Sequence, residues 1–140
     1  MSPGQIENEE NEAGLSLEYD LENILVNNLG QIERGLRIYR NESVLGQQFE
    51  AGDAGRIDLL TIDENGDFVV IELKAGEVDR QVCGQIQAYM GWIKEHLAKD
   101  KSVRGVIIGN DFTPRARYAA KVVPLLTLKQ YQVSFKVIEV

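Results

Sequence analysis

A short acidic turn between two strand-like runs restricts the fold of this chain more than any other feature. The residues Asp63-Glu64-Asn65-Gly66 separate the run Arg56 to Ile62 from the run Phe68 to Lys74. They are typical of a type I turn with Gly66 in the left-handed position, which gives a three-residue hairpin loop with a G1 bulge. Asp63 would then face Asp67, and this pairing sets the register of both strands.

Counting outward from the turn predicts which side chains share a face of the hairpin. Asp58 is expected opposite Glu72, with Lys74 two residues further along on the same face. The other face is expected to be apolar, with the residues Ile57, Leu59, Val69, Ile71 and Leu73. A two-residue Asn-Gly turn is the competing possibility, and it would place Asp58 and Glu72 on different faces.

Two carboxylates on facing strand positions need a physical reason to be there. At an effective dielectric near 20 they repel by roughly 3 kcal/mol, whereas a divalent cation between them turns the repulsion into ligation. Mg²⁺ and Mn²⁺ prefer oxygen ligands, so Asp58, Glu72 and the Leu73 carbonyl form a candidate metal site. Lys74 beside it would orient or deprotonate a water, or stabilise charge in a phosphoryl transition state. The ordinary alternative is a strand-end surface pair neutralised by Lys74.

The remaining chain predicts alternating helices and strands around a mixed sheet. Residues 1 to 15 have the composition of a disordered acidic tail, and residues 16 to 140 are expected to form one domain. We expect helices from Ser16 to near Gly30, from about Asp79 to Leu97, and from Thr113 onward with Pro114 at the first helical position; the strands are Leu36 to Tyr39, Val103 to Ile108 and Tyr131 to Val140, besides the hairpin. This order implies an α/β fold with a mixed central sheet flanked by helices.

Charge is unevenly distributed along the sequence. The formal net charge is -7, but residues 1 to 33 carry eight acids and no Lys or Arg, which leaves 14 of the 22 acids against all 15 bases in the rest. The body is therefore nearly neutral, and a nucleic-acid partner is neither indicated nor excluded by charge. Without an apolar run long enough for a membrane span or a signal-peptide pattern, we expect a cytoplasmic protein with no membrane partner.

The single cysteine and single histidine exclude several kinds of chemistry. Cys83 cannot form an intramolecular disulfide or a multi-cysteine zinc site, and it is expected to be buried packing. His96 lies in a charged helical stretch and is expected on the surface, which excludes sites with several histidine ligands.

Two further clusters are candidates for contacts. Gly84, Ala88 and Gly91 fall on one side of the second helix and predict a tight helix contact, either within the chain or as a dimer seam. Arg115 and Arg117, with Lys121, stand at the start of the third helix and would hold a phosphate there. A solvated helix face is the alternative for these basic residues.

The hairpin motif and its surroundings resemble a known nuclease family. The segments GRIDLL (55 to 60) and VVIELK (69 to 74) look like the D and ExK elements of the PD-(D/E)XK nuclease superfamily. Five further segments resemble the C-terminal nuclease domain of the NucS/EndoMS mismatch-directed endonucleases. They are LEYDLENILVNNL (17 to 29), RGLRIY (34 to 39), VCGQIQAYMGWIKEHL (82 to 97), VRGVIIG (103 to 109) and PRARYAA (114 to 120).

This resemblance implies a restriction-endonuclease-like fold and a metal-dependent deoxyribonuclease that uses Mg²⁺ or Mn²⁺. Asp58 and Glu72 would be metal ligands and Lys74 the catalytic lysine. The resemblance also implies supporting catalytic roles for Gln85 and for Glu22, which sits at the margin of the buried stripe of the first helix. A solvated helix glutamate is the alternative for Glu22. Tyr89 is a candidate for lining the active site or for core packing, and Arg56 is a further candidate for a substrate contact.

The implied partners are DNA and a second copy of the chain in a homodimer. The full mismatch enzymes carry a separate DNA-binding domain before this one, whereas only an acidic segment precedes Leu17 here. We therefore do not transfer mismatch specificity. The alternative function is a catalytically inactive module of the same fold that binds nucleic acid or a protein partner.

Overall fold

The computed structural model describes residues 17–140, so the expected acidic tail and the Ser16 helix cap lie outside the described residues. Helix α1 covers residues 17–26, α2 is Gln81–Ile93 and α3 is Pro114–Lys121. A π-helical turn, Lys94–Ala98, continues α2, and two short 3₁₀ turns are Leu29–Gln31 and Gly52–Ala54. The strands are β1 Arg37–Ile38, β2 Arg40–Asn41, β3 Val44–Leu45, β4 Gln47–Glu50, β5 Arg56–Ile62, β6 Phe68–Leu73, β7 Glu77–Val78, β8 Val103–Gly109, β9 Asp111–Phe112 and β10 Leu126–Gln130.

A six-stranded mixed sheet forms the centre of the fold. Its order is β1-β5-β6-β8-β10, with β4 also paired to β5. Strands β1, β4 and β6 run antiparallel to β5, whereas β6, β8 and β10 are mutually parallel. Helices cover both faces of the sheet, so the predicted mixed α/β fold is confirmed.

The hairpin has the predicted turn. Gly66 has a φ of +83°, and its N–H donates to the Asp63 carbonyl at 3.0 Å. The Asp63 N–H donates to the Asp67 carbonyl at 2.9 Å, and the Asp63 carboxylate accepts the N–H groups of Asn65 and Asp67. Ile62 therefore pairs with Phe68, and the predicted register is confirmed against the two-residue turn.

Two apolar clusters lie on opposite faces of the sheet. The first packs under α2 and α3 and includes Leu60, Val70, Ile86, Ile107 and Ala116. The second packs under α1 and includes Leu21, Leu59, Val69, Ile71 and Leu73. Burial of both faces explains why β6 and β8 are almost continuously apolar.

Ile57 does not lie where the alternation of the sequence predicted. It belongs to the cluster under α2 and α3, together with Leu60, whereas Leu59 belongs to the cluster under α1. Residues 57 and 60 can share a face only if the strand departs from its two-residue period between them. The irregular position is Asp58.

The last strand was also predicted wrongly. It spans Leu126–Gln130, and residues 131–140 have no regular secondary structure. The β-forming composition of Tyr131 to Val140 has no strand left to pair with, because β8 ends at Gly109, whose carbonyl already accepts the N–H of Tyr131 at 2.9 Å. Strand propensity without a partner does not produce a strand.

The helices agree with prediction at their caps and disagree at one contact. Thr113 caps α3 by accepting the Ala116 N–H at 3.1 Å, with Pro114 first in the helix, as predicted. No atom lies within 4 Å of an added Cβ at Gly84 or Gly91, so the predicted tight contact does not exist within residues 17–140.

Cys83 is buried and His96 is exposed, as expected. None of the helices in the described range is long and apolar enough to cross a membrane.

Candidate active site

The two carboxylates of the hairpin meet where the backbone pairing of β5 and β6 stops. The last paired residues are Leu59 and Ile71. At the next position the Asp58 side chain replaces the backbone ladder, because its Oδ2 accepts the N–H of Leu73 at 2.8 Å. Asp58 is half-buried and lies beside Glu72, whose residue surface is only 3% exposed.

Glu72 is in a position where a negative charge is costly. Burial, and next the charge of Asp58, raise the pKa of Glu72 to about 9, although Lys74 acts in the opposite direction. The Lys74 Nζ lies 3.6 Å from Glu72 Oε1. The second oxygen, Oε2, is buried and has no hydrogen-bond partner. A negative charge on Glu72 is therefore disfavoured unless a cation lies beside it.

The donor set at this point fits a hard divalent cation with an incomplete protein shell. The buried oxygen of Glu72 has unused capacity, and Asp58 and Glu72 are the oxygen donors that Mg²⁺ and Mn²⁺ prefer. Across residues 17–140, no three His, Cys, Asp or Glu side chains are grouped closely enough to hold one metal ion. Carbonyl oxygen or water would have to supply the other ligands, which is usual for Mg²⁺.

A cleft of about 410 Å³ opens beside Asp58. It is lined by Glu18, Tyr19, Glu22, Gln48, Arg56, Asp58 and Leu73. Three residues predicted for the catalytic or metal site, Glu22, Asp58 and Leu73, therefore share one cavity. Gln48 was not among the predicted site residues, because residues 40 to 55 have no clear strand pattern.

Glu22 enters this cleft from α1. It is 3% exposed, and the Gln48 side-chain amide donates to its Oε1 at 2.5 Å. Burial raises the pKa of Glu22, the Gln48 hydrogen bond opposes that rise, and the charge of Asp58 adds to it. The predicted position of Glu22 at the edge of the buried stripe of α1 places its carboxyl group in the cleft.

Gln85 and Tyr89 form a pair on α2. The Gln85 amide donates to the Tyr89 hydroxyl at 2.9 Å, as their spacing of one helical turn allows. Burial, and then the negative charge of Glu72, raise the pKa of Tyr89. Tyr89 is 4% exposed and packs in the cluster under α2 and α3, away from the residues that line the cleft.

Gly55 explains why the loop before β5 can approach Tyr89. Its φ is +115°, and an added Cβ would lie 3.2 Å from Tyr89 Cε1. The glycine of the GRIDLL segment therefore allows both the backbone turn and the contact with the tyrosine ring.

The arginines predicted to bind substrate are separated in space. Arg56 lines the cleft, where it forms an exposed ion pair with Glu50 at 2.6 Å. Arg115 and Arg117 are exposed on α3 and do not line the cleft, and Arg117 lies 3.7 Å from Asp111. The structure thus brings only Arg56 to the carboxylates.

The backbone after Lys74 is held by two side chains that the sequence did not indicate. The Ala75 N–H donates to Glu18 Oε1 at 3.0 Å, and the Tyr131 hydroxyl donates to the Ala75 carbonyl. The Lys74 N–H donates to the Ile108 carbonyl at 2.8 Å. These contacts join residues distant in sequence, so local pattern carries no signal for them.

Comparison with known protein families identifies the relationship of this chain. The family model described as the Endonuclease NucS C-terminal domain matches residues 17–133. The chain belongs to this family. The predicted resemblance is thereby confirmed. The matched residues include every helix and strand in the described part of the chain.

Curated relatives show the same similarity at low identity. Endonuclease NucS of Methanopyrus kandleri is 30% identical over 100 residues, which are 71% of this chain and 35% of that protein. Endonuclease NucS of Parafrankia sp. is 30% identical over 105 residues, 74% of this chain and 44% of that protein. The chain thus spans less than half the length of these relatives.

Solved structures support the NucS-like fold. A repair endonuclease from Pyrococcus abyssi matches with a TM-score of 0.66 at 24% identity, over 82% of this chain and 46% of that one. EndoMS in a complex with dsDNA matches with a TM-score of 0.65 at 21% identity, over 85% and 46%.

Proposed function

We propose that this chain is a divalent-metal-dependent endonuclease domain of the PD-(D/E)XK type that hydrolyses phosphodiester bonds in DNA. The observation that carries the proposal is the pairing of Asp58 with the buried Glu72, whose Oε2 has no hydrogen-bond partner, beside the amine of Lys74. In a purely structural ion pair, both oxygens of the buried carboxylate would be expected to have partners, because an unsatisfied buried acceptor costs about 1–3 kcal/mol.

Asp58, Glu72 and the Leu73 carbonyl would hold Mg²⁺ or Mn²⁺. Such an ion, when bound, supplies Lewis acidity toward the phosphate and lowers the pKa of water. Lys74 is half-buried next to Glu72 and is placed to orient the attacking water or to neutralise charge that builds on the phosphate. Hydrolysis forms one P–O bond to water and breaks one P–O bond to the leaving sugar oxygen.

The residues around the pair have supporting roles in this proposal. Glu22 and Gln85 support catalysis, Gln85 through its hydrogen bond to Tyr89. Tyr89 is 4% exposed and packs in the cluster under α2 and α3, so its part in the site is to hold Gln85. Arg56 at the cleft binds a DNA phosphate in place of Glu50. Arg115 and Arg117 would contact the DNA backbone further from the reacting phosphate.

The names of the similar proteins support DNA as the substrate. The curated relatives are endonucleases, and two similar structures are a repair endonuclease and EndoMS with dsDNA. A role in DNA repair, and the homodimer needed to cut both strands at once, belong to the same proposal. Sedimentation analysis of the purified chain with and without DNA measures the dimer, and a monomer in both would contradict it.

The deciding experiment is a metal titration with labelled DNA. Duplex, mismatched, flap and single-stranded substrates are incubated with Mg²⁺ or Mn²⁺ and either the native chain or Asp58→Ala. We expect cleavage of at least one substrate that depends on the metal and is lost in the variant. Equal cleavage by the variant, or none by the native chain, would reject the function.

A further inference from the structure

Gln48 has an unusual backbone conformation for a residue in a strand. Its φ is +51°, in the left-handed region, although it lies inside β4 and is not glycine. The neighbouring pairs are Gln47 with Leu59 and Phe49 with Ile57, so Gln48 stands at the level of Asp58. The irregularity in β4 is therefore directly beside the irregularity in β5.

Both strands change faces at this level. Leu59 packs in the cluster under α1 and Gln47 reaches α1, whereas Phe49 and Ile57 pack in the cluster under α2 and α3. In a regular strand, Gln47 and Phe49 would lie on the same face. The left-handed residue is what allows the change, because its backbone interrupts the two-residue alternation of the strand.

The result is that two adjacent glutamines both reach α1. Gln47 Nε2 donates to Asn23 Oδ1 at 3.0 Å, and Gln48 Nε2 donates to Glu22 Oε1 at 2.5 Å. Gln48 is exposed while Glu22 is buried, so the amide lies on the solvent side of that carboxyl group.

We propose that Gln48 is a positioning residue, which fixes the Glu22 carboxylate in the cleft beside Asp58 and thereby shapes the cation site. This inference rests on the proposed function. A left-handed non-glycine residue is retained only where the surroundings fix it, and here it gains the Glu22 contact. Side chains that orient a ligand or its neighbours typically change metal affinity or activity about 10–100-fold when removed.

Two substitutions separate positioning from strain. Gln48→Gly removes the amide and relieves the left-handed strain, whereas Gln48→Met keeps the length and the strain but cannot donate. We expect both to weaken Mn²⁺ binding about tenfold, measured by calorimetry, and to lower kcat by a similar factor. KM for DNA should stay within about twofold, since Gln48 is not assigned a phosphate contact.

The melting temperature of the metal-free protein separates a positioning role of Gln48 from a role in stability alone. Gln48→Gly should melt no lower than the native chain while Gln48→Met melts lower, although both bind Mn²⁺ weakly. Glu42→Gly is the matched control, because Glu42 has a φ of +53° in the β2–β3 turn and does not line the cleft. It should leave Mn²⁺ affinity and kcat unchanged.

The outcomes are distinguishable. Native-like Mn²⁺ affinity and kcat in both Gln48 variants, with cleavage abolished by Asp58→Ala, would overturn the positioning role and leave the nuclease intact. Weak binding that follows melting temperature across the Gln48 variants would overturn it as well. Cleavage unaffected by Asp58→Ala would reject the proposed function, and the positioning role with it.

Discussion

Asp58 accepts the backbone N–H of Leu73 at 2.8 Å with one carboxylate oxygen, at the point where β5 and β6 stop pairing. Burial raises the pKa of Glu72, and the negative charge of the Asp58 side chain adds to that rise. One residue therefore joins the two strands and also acts on the charge of its neighbour. Substitutions at this point can separate the two roles.

Asp58→Asn and Asp58→Ala should differ in stability but not in activity. Asn keeps an oxygen acceptor for the Leu73 N–H, whereas Ala leaves that N–H unpartnered at a cost of about 1–3 kcal/mol. Urea unfolding should therefore place the Ala variant below the Asn variant, while both lack cleavage. Equal unfolding free energies would show that the Leu73 hydrogen bond adds nothing to stability.

Glu72→Gln should change how stability depends on pH in metal-free protein. The folded pKa of Glu72 is about 9 and exceeds the ordinary value of 4.5, so the stability from this group is present below pH 4.5 and is lost as pH rises toward 9. Relative to the Gln variant, the native chain should lose up to about 1.4 kcal/mol of unfolding free energy per pH unit in that range. Parallel curves for the two proteins would contradict the assigned shift.

Mn²⁺ binding by the native chain should strengthen as pH rises from 6 to 8. The ion displaces the Glu72 proton, so the affinity should rise by up to about tenfold per pH unit. Calorimetry in buffers of different ionisation enthalpy would also count the released proton. Affinity that does not vary with pH would mean that Glu72 is not a ligand.

Lys74→Met should remove catalysis and retain the metal. We expect kcat to fall by about 10²–10⁴-fold, because the variant lacks the amine that orients water or neutralises charge. Mn²⁺ should still bind, but only at higher pH, since Lys74 lowers the pKa of Glu72. Loss of Mn²⁺ binding at every pH would assign Lys74 a structural role instead.

Gly66→Ala should destabilise the fold through the backbone alone. The φ of +83° costs an alanine about 1–2 kcal/mol, and the added Cβ would meet nothing nearer than Lys101 Nζ at 3.6 Å. Gly66→Asn, which tolerates this conformation better, is the control. Chemical denaturation of both variants measures the difference, and equal losses would place the cause outside the backbone.

The sequence was most informative where one local rule determined several positions. The turn at Asp63 to Gly66 fixes the hairpin register, and that register brings Asp58 to Glu72. The parallel strands β6 and β8 were predictable as buried apolar runs, and Thr113 with Pro114 marked the start of α3. Each of these signals acts over a few residues.

The remaining features depend on partners distant in sequence. Residues 131–140 have strand-like composition, yet their structure depends on the end of β8 at Gly109. The exchange of faces at Asp58 depends on Gln48, ten residues earlier, and on a backbone conformation that glutamine rarely adopts. No periodicity within either segment reports such a dependence.

The hairpin also bears on how the domain assembles. Asp58, Glu72 and Lys74 lie within one contiguous segment, so their strands meet by closing a three-residue hairpin loop, whereas β8 and β10 must come from beyond α2 and α3. Loop closure over short distances is the faster event in folding. We expect the hairpin to form before β8 and β10 dock, so the unfavourable approach of Asp58 to Glu72 already opposes the first step of folding.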